Sequence, residues 1–256
     1  MNKWILGARP RTLPAAIAPV VVAVAIAYPT FNFINAILAL IVGLALQIAV
    51  NYANDYSDGV KGTDAERVGP TRLVASGLAS ATEVKQAAIT AFGIGGVAGL
   101  YLSIRTSYWL IAIGAAAIIA AWRYTGGKNP YGYRGLGEVY VFIFFGLVAT
   151  IGTYYGQTGQ VNIEVVMAAI SNGAVACALL AVNNIRDIDG DTKVGKRTLA
   201  VRLGDTRARR FYMFLIFIAI FTSFTVTVLA ALGIFPAIKL LKEIQFRKGK
   251  ELIAVL

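Results

Sequence analysis

The segment NYANDYSDGVKGTD, residues 51–64, closes a run without charge that begins at residue 12, and it brings three aspartates within ten positions. The run is long enough for two membrane-spanning helices, because each needs about 20 apolar residues to cross the hydrocarbon layer. The chain would then turn near Tyr28, Pro29 and Thr30. Carboxylates at a membrane boundary are costly unless they have a partner. The segment therefore predicts a membrane bundle with a cation beside its acids.

The composition places the whole chain in a membrane. Of its 256 residues, 57% are hydrophobic and only 14% are charged, and the mean hydropathy is +0.67, well above that of soluble domains. Further charge-free runs cover residues 86–104, 106–122, 139–163, 165–185 and 211–238. We therefore predict an all-α, polytopic bundle formed by a single transmembrane domain over residues 1–256.

The net charge of +11 follows the loops. Lys and Arg number three before the first span, four in residues 54–85, three in 123–137 and eight in 186–210, whereas the alternate connections contain only Arg105. By the positive-inside rule, the N-terminus and these loops are cytoplasmic. The spans are expected near residues 13–29, 34–53, 84–104, 107–123, 138–156, 163–183 and 211–232. Because topology accounts for the charge, nucleic acid is not predicted as a partner.

Two scarce residue types narrow the chemistry. The chain has one cysteine, Cys177, and no histidine, which excludes an internal disulfide, histidine metal ligands and a histidine general base. Cys177 itself is more simply a small apolar residue of a helix. Any bound metal must therefore be a hard cation held by oxygen.

A second acidic segment, NNIRDIDGDTKVGKRTLAVRLGD at residues 183–205, matches the first. Asn51, Asp55 and Asp58 are spaced i, i+4, i+7, and the second set is spaced i, i+4, i+8 at Asn183, Asp187 and Asp191. If the helices continue past the bilayer face, each set lies on one side of its helix. Both sets open toward the same compartment, as two related halves would arrange them.

Carboxylates on two facing helix ends repel one another unless cations lie between them. Mg²⁺ prefers carboxylate oxygens and commonly binds together with substrate phosphates. Basic side chains that could bind phosphate are present in all three inner loops: Lys61, Arg67, Arg72, Lys128, Arg134, Lys193, Lys196 and Arg197. The pattern predicts a metal-bridged diphosphate. Helix caps and topology determinants are the simpler alternatives, and the roles of Asp64 and Asp189 stay open.

The two acidic segments resemble the paired aspartate motifs of the UbiA superfamily of intramembrane prenyltransferases, in NDYSD at 54–58 and DIDGD at 187–191. The longer strings NYANDYSDGVKGTDAERVGPTRLVASG, YTGGKNPYGYRGLGE and ARPRTLPAAIAPV are similar to its naphthoate-prenylating branch. The resemblance covers residues 4 to 255. It implies a UbiA-like helical bundle in a bacterial plasma membrane, with the site loops in the cytoplasm.

The resemblance also implies a reaction. A polyprenyl group would pass from polyprenyl diphosphate to 1,4-dihydroxy-2-naphthoate, with loss of carbon dioxide and diphosphate, to give demethylmenaquinone in menaquinone synthesis. Two Mg²⁺ ions held by Asp55, Asp58, Asp187 and Asp191 would bridge the diphosphate. The site asparagines, Asn51, Asn54 and Asn183, would orient ligands or metal-bound waters. Tyr131 and Tyr133 are candidates to stabilise the allylic cation, and Lys128 and Arg134 to bind the naphthoate carboxylate.

The sequence departs from the superfamily in two places. The further aspartate that commonly follows the first motif is replaced by Gly62, with Asp64 nearby. The family usually has nine spans, whereas this chain ends soon after the charge-free run 211–238. We expect about eight spans, the last short and returning the basic tail inside, with the ninth lacking. The sequence does not indicate the prenyl chain length or the oligomeric state.

Other functions remain as alternatives. A related UbiA-type enzyme with another aromatic acceptor would share every motif. A CDP-alcohol phosphotransferase would carry its acids in one continuous motif, and here they are split between two loops. An ion-coupled transporter would place its acids near the midplane of the membrane rather than at helix ends.

Overall fold

The computed structural model describes residues 2–63, 69–227 and 232–255. These residues form helices joined by turns, and no strand occurs among them. The α-helices are α1 (Lys3–Ala8), α2 (Pro14–Ala27), α3 (Phe33–Lys61), α4 (Ala81–Arg105), α5 (Trp109–Arg123), α6 (Gly137–Val141), α7 (Ala149–Thr158), α8 (Ile163–Arg186), α9 (Ile188–Lys193), α10 (Leu199–Phe224) and α11 (Ile234–Phe246). The all-α prediction is confirmed.

Four of the helical stretches are long and apolar enough to cross a membrane, namely Phe33–Lys61, Ala81–Arg105, Gly137–Thr158 and Ile163–Arg186. The number rises to five if the bent pair Lys3–Thr12 and Pro14–Ala27 forms one span, and α5 is a shorter apolar helix. Together they identify a membrane protein. Each of the seven predicted segments contains a helix among its described residues, but the predicted number of about eight spans is not confirmed.

The helices pack as two groups. In the first, α3 lies along α4, and its core contains Ala49, Ala53 and Ala88. In the second, α8 lies along α10, around Ala178, Ala181 and Tyr212. Helix α2 contacts members of both groups. Most of these core residues are small, which lets helix backbones approach closely where the surrounding lipid offers no hydrophobic driving force.

A close helix crossing joins the stretch before α7 to α8. Residues Phe142–Val148 form a π-helical turn, and a methyl group on Gly146 would lie 2.5 Å from the Cα atom of Gly173 and 2.8 Å from the carbonyl oxygen of Ala169. Both contacts are with backbone, which cannot rotate away. The crossing therefore depends on glycine at position 146.

A polar cluster centred on Asn35 and Arg105 holds the end of α3 that lies away from the acidic motifs. Arg105 donates from Nε to Oδ1 of Asn35 at 2.8 Å, and Nδ2 of Asn35 donates to the carbonyl oxygen of Gly156 at 2.7 Å. The backbone N–H of Asn32 donates to Oε1 of Gln157 at 2.6 Å. This polar cluster joins α3, α4 and α7, and Arg105 therefore has a structural role.

The C-terminal helix lies against the beginning of α10. Arg209 forms an ion pair with Asp205 at 2.8 Å and donates from Nη1 to the carbonyl oxygens of Ile244 and Arg247. Ile244 and Leu252 are fully buried. The end of α11 and the short helical segment Gly249–Val255 thus lie at the end of the bundle where α10 begins, which agrees with a chain that turns back after α10.

Replacing Gly146 with Ala should lower the free energy of unfolding by about 1–3 kcal/mol, because the new methyl group meets backbone on α8. The matched control is Gly152→Ala in α7, where a new methyl group meets nothing within 4 Å. The control should be neutral or stabilising. Thermal unfolding of both variants in detergent, followed by circular dichroism, measures the difference. Equal stability of the two would show that the crossing tolerates a larger residue.

Candidate active site

The ends of α3 and α8 border one polar cavity of about 620 Å³. It brings together residues from both acidic segments and from the loops between helices. The described residues that line it are Asn54, Asp58, Gly62, Thr63, Arg72, Tyr124, Thr125, Gly132, Tyr133, Asn184, Arg186, Asp187, Asp189, Gly190, Asp191, Lys193, Val194, Lys196, Thr198 and Gly249. Residues of the two motifs, which are far apart in sequence, therefore line one cavity.

The first motif splits into two sides of α3. Asn54 and Asp58 line the cavity, and Asn54 accepts a hydrogen bond at Oδ1 from the hydroxyl of Thr125 at 2.8 Å. Asn51 instead donates to the carbonyl oxygen of Ala8 at 2.9 Å and to Oγ1 of Thr12 at 3.0 Å. In the structure Asn51 thus fastens the N-terminal segment to α3.

Asp55 is fully buried and is not among the described residues that line the cavity. Its Oδ2 accepts the backbone N–H of Leu73 at 2.7 Å, and its Oδ1 accepts that of Val74 at 3.0 Å. Bonds from backbone amides to a carboxylate are charge-assisted and strong. Asp55 therefore fixes the turn that begins at Arg72, and this turn carries the Arg72 side chain to the cavity.

Asp58 is the centre of a buried ionic cluster. It accepts the hydroxyl of Tyr133 at 2.5 Å and Nζ of Lys196 at 3.1 Å, and Nη2 of Arg72 lies 3.7 Å from it. The ammonium groups of Lys196 and Lys61 lie 4.7 and 5.0 Å from the centre of the Tyr133 ring. Arg72 and Lys196 give this part of the cavity two buried cations, which suit an anionic ligand.

The second motif presents its acids from the end of α8 and from α9. Arg186 donates from Nε and Nη2 to the two carboxylate oxygens of Asp187, each at 2.7 Å. The backbone N–H of Asp191 donates to the carbonyl oxygen of Asp187 at 2.8 Å, and Lys196 N–H donates to that of Asp191 at 2.8 Å. These backbone hydrogen bonds fix the positions of Asp187, Asp191 and Lys196 relative to one another.

Several predicted site residues lie outside this lining. Asn183 donates from Nδ2 to the carbonyl oxygen of Leu179 at 2.9 Å, and its neighbour Asn184 lines the cavity instead. The remaining basic candidates Lys61, Lys128, Arg134 and Arg197 are exposed. Of these, Lys61 reaches the loop after α5 through the carbonyl oxygen of Thr125 at 2.5 Å. Arg67 and Asp64 are outside the described residues.

The tyrosines of the middle loop form a stack beside the cavity. The ring of Tyr131 lies 3.9 Å from that of Tyr140 in a stacked arrangement and 5.5 Å from that of Tyr124, edge to face. Desolvation raises the pKa of Tyr124 and of Tyr131 above the usual value for a phenol. Both therefore stay neutral, and they present π-faces and hydroxyls rather than phenolate.

The lining residues that sequence reasoning missed include Tyr124, Thr125, Asn184 and Arg186. Asn184 and Arg186 stand inside the quoted motif NNIRD, so their position was available, but only the spacing of the acids was used. Tyr124 and Thr125 follow α5 directly and reach the cavity because the chain folds back there. The amide N–H of Gly132 donates to the carbonyl oxygen of Tyr124 at 2.9 Å.

The donor set suits a hard divalent cation. Carboxylate and amide oxygens from Asp58, Asp187, Asp191 and Asn54 line one cavity, and these are the ligands that Mg²⁺ prefers. In the described part of the chain, no three acidic side chains come close enough together to hold a metal ion by themselves. Phosphate oxygens and water would have to complete the coordination, which is the usual arrangement for Mg²⁺ with phosphate substrates.

Comparison with known sequences gives consistent matches. A model of the UbiA prenyltransferase family matches residues 16–251. The 1,4-dihydroxy-2-naphthoate octaprenyltransferase of Mycobacterium tuberculosis is 52% identical over 219 residues, which cover 85% of this chain and 75% of that protein. The protein of the same name from Escherichia coli is 40% identical over 218 residues, covering 82% and 71%.

Solved structures match the fold. The apo structure of a UbiA homolog from Aeropyrum pernix K1 has a TM-score of 0.76 at 17% identity and covers 96% of this chain and 93% of that one. A UbiA homolog from Archaeoglobus fulgidus bound to GPP and Mg²⁺ has a TM-score of 0.74 at 14% identity, covering 99% and 94%. At these identities the likeness shows a shared fold.

Asp55→Asn should lower the free energy of unfolding by about 1–3 kcal/mol, because the amide nitrogen cannot accept the N–H that the lost oxygen accepted. The amides of Leu73 and Val74 should also exchange with deuterium faster. The control is Asp189→Asn, an exposed carboxylate on α9, which should change stability by less than about 0.5 kcal/mol. Unchanged protection at both amides in Asp55→Asn would contradict the assignment.

Proposed function

The chain belongs to the UbiA prenyltransferase family, and on that premise we propose that it transfers a polyprenyl group from polyprenyl diphosphate to 1,4-dihydroxy-2-naphthoate. The family match and the identity to two naphthoate prenyltransferases support this substrate pair. One observation in the structure carries the proposal: the acids of two distant motifs line a single cavity together with buried cations. That combination suits a diphosphate leaving group.

The reaction exchanges one ring substituent for another. The bond between the allylic carbon and the diphosphate oxygen breaks, and its electron pair leaves with the diphosphate. A carbon–carbon bond then forms from the electron-rich ring to the allylic carbon. The ring loses its carboxylate as carbon dioxide, and the electron pair of that bond returns to the ring. No outside oxidant is needed, and the product is demethylmenaquinone in its quinol form.

We assign metal binding to Asp58 on α3 and to Asp187 and Asp191 on the second motif, with Asn54 beside them. When bound, Mg²⁺ would neutralise charge on the diphosphate oxygens and make the diphosphate a better leaving group. Two ions fit the division of the acids between two helix ends. Asp55 contributes by holding the turn that carries Arg72, because both of its oxygens accept backbone N–H groups.

The diphosphate would bind among the cations around Asp58. Arg72 and Lys196 are both less than one tenth exposed and contact the same carboxylate oxygen. In a site with little water, their charge acts strongly on a leaving group that gains negative charge as the bond breaks. Lys193 lies farther out on the cavity lining and is exposed. These residues stabilise the departing diphosphate.

The tyrosine stack would face the developing allylic cation. A ring face attracts positive charge within about 6 Å of its centre, and Tyr133 already has two ammonium groups at that distance. Tyr124 lines the cavity and is backed by Tyr131 and Tyr140. Because Tyr124 and Tyr131 stay protonated, they stabilise the cation without acting as competing nucleophiles.

We place the protein in a bacterial plasma membrane with the cavity on the cytoplasmic side. The basic residues of the cavity loops support this orientation through the positive-inside rule. A water-soluble naphthoate would then reach the cavity from the cytoplasm. The apolar polyprenyl tail would remain in the lipid or between helices.

The direct test incubates the purified protein with geranylgeranyl diphosphate, Mg²⁺ and 1,4-dihydroxy-2-naphthoate under reducing conditions. Mass analysis should detect the prenylated, decarboxylated quinol, and a chelator of divalent cations should abolish its formation. Product from another aromatic acid but none from the naphthoate would overturn the acceptor assignment. Uptake of a solute with no prenyl product would overturn the enzymatic one.

Asp187→Asn should reduce kcat by about 100-fold or more, because it removes one charge from the groups that organise the diphosphate. The matched control is Glu164→Gln, an exposed carboxylate at the opposite end of the same helix, α8. It should turn over at the wild-type rate. Rates measured across a range of Mg²⁺ concentrations separate weaker metal binding from lost turnover. Near-normal activity of Asp187→Asn at saturating Mg²⁺ would remove Asp187 from the metal site.

A further inference from the structure

Arg186 is the most completely buried cation on the cavity lining. Its side chain is 0% exposed, and its Nε and Nη2 atoms are both bonded to Asp187. Its Nη1 atom is also buried and has no hydrogen-bond partner among the described residues. Buried donors on charged groups are rarely left unsatisfied, and each such group calls for an explanation. A ligand that enters the cavity would supply the missing acceptor.

The shape of the guanidinium group defines that ligand. It carries five N–H donors in one plane and can bind two carboxylates at once along different edges. Asp187 occupies the edge formed by Nε and Nη2. The edge formed by Nη1 and Nη2 remains, and it matches the spacing of the two oxygens of a planar carboxylate.

We propose that this second edge of Arg186 binds the carboxylate of the aromatic acceptor. The inference rests on the proposed function, in which the acceptor is 1,4-dihydroxy-2-naphthoate. Arg186 would thereby orient the ring relative to the allylic carbon and select acceptors that carry an acid group. Asn184, two residues earlier on the same helix, lines the same wall and donates to Oε1 of Glu138 at 2.9 Å.

The distribution of charge assigns the two anionic substrates to different groups. Arg72 and Lys196 are two buried cations that contact one carboxylate oxygen of Asp58. Arg186 is a single cation that holds both oxygens of Asp187 through Nε and Nη2. Two cations suit the multiply charged diphosphate, whereas the remaining Nη1–Nη2 edge of one guanidinium suits a carboxylate with one charge.

Burial favours Arg186 over the basic residues of the middle loop. Lys128 and Arg134 are exposed and are not among the described residues of the cavity lining. Ion pairs with exposed cations are weakened by water and salt, whereas a bidentate bond to a buried guanidinium keeps most of its strength. Acceptor binding through Lys128 or Arg134 is therefore the competing outcome.

The test pairs a change in the protein with a change in the ligand. Binding of 1,4-dihydroxy-2-naphthoate and of 1,4-dihydroxynaphthalene, which lacks the carboxylate, is measured calorimetrically on the full chain in detergent under reducing conditions. The wild type should prefer the carboxylated ligand by about 10- to 100-fold, the range expected for charged hydrogen bonds. Arg186→Gln should bind both ligands about equally. Retention of the full preference in this variant would overturn the proposal.

Two further variants keep the result interpretable. Arg186→Lys retains the charge beside Asp187 but loses the planar fork, so it should lose most of the preference even if Arg186→Gln does not fold. Arg134→Gln, the same change at an exposed arginine, should retain the preference. Loss of the preference in Arg134→Gln but not in the Arg186 variants would move acceptor binding to the middle loop.

A separate measurement distinguishes failure of this inference from failure of the proposed function. The affinity for geranylgeranyl diphosphate is measured without Mg²⁺, so that the proposed metal ligand Asp187 does not contribute, and it should change less than about threefold in Arg186→Lys, which also shows that the variant is folded. A large loss here with an unchanged acceptor preference would place Arg186 on the diphosphate. Wild-type protein that binds neither naphthalene would contradict the proposed acceptor itself, whatever the variants do.

Discussion

Each acid of the two motifs for which a partner is described is held by specific hydrogen-bond donors, and the site depends on these bonds. Asp55 accepts two backbone N–H groups, Asp58 is held by Tyr133 and Lys196, and Asp187 is paired with Arg186. A carboxylate buried at the end of a membrane helix without such partners would be too costly to keep charged. The partners of Asp55 and Asp58 come from loops that are distant in sequence, so satisfying these two acids also assembles the cavity.

Much of the fold could be predicted from the sequence, because lipid imposes a simple rule. A charge-free run of sufficient length must be helical and must satisfy its own backbone, so the helices fall where the runs lie. The number of spans could not be obtained in the same way. The π-helical turn at Phe142–Val148, the contact of Gly146 with Gly173 and the short helix α11 arise from packing between helices. A single run of sequence does not record such contacts.

The site was predicted in outline and differs in its details. Helical spacing predicted that Asn51, Asp55 and Asp58 lie on one side of α3, but of these three only Asp58 is among the described residues that line the cavity. The position of Asp55 depends on its bonds to the amides of Leu73 and Val74, which spacing along one helix does not record. Arg186 was similarly counted only as a loop charge. Its importance comes from burial and from the unused edge of its guanidinium group, which only the folded chain reveals.

The hydrogen bonds among Arg105, Asn35 and Gly156 also bear on the position of Asp58. They join three helices at the end of α3 opposite the cavity, so they fix this end of α3 relative to α4 and α7. Asn35 and Asp58 are 23 residues apart on α3, or about 35 Å of helix. A tilt of α3 by about 5° at the polar cluster would therefore displace Asp58 by about 3 Å, given this length of helix. A small change in the angle of α3 at this end would thus be amplified at Asp58, at the other end of the helix.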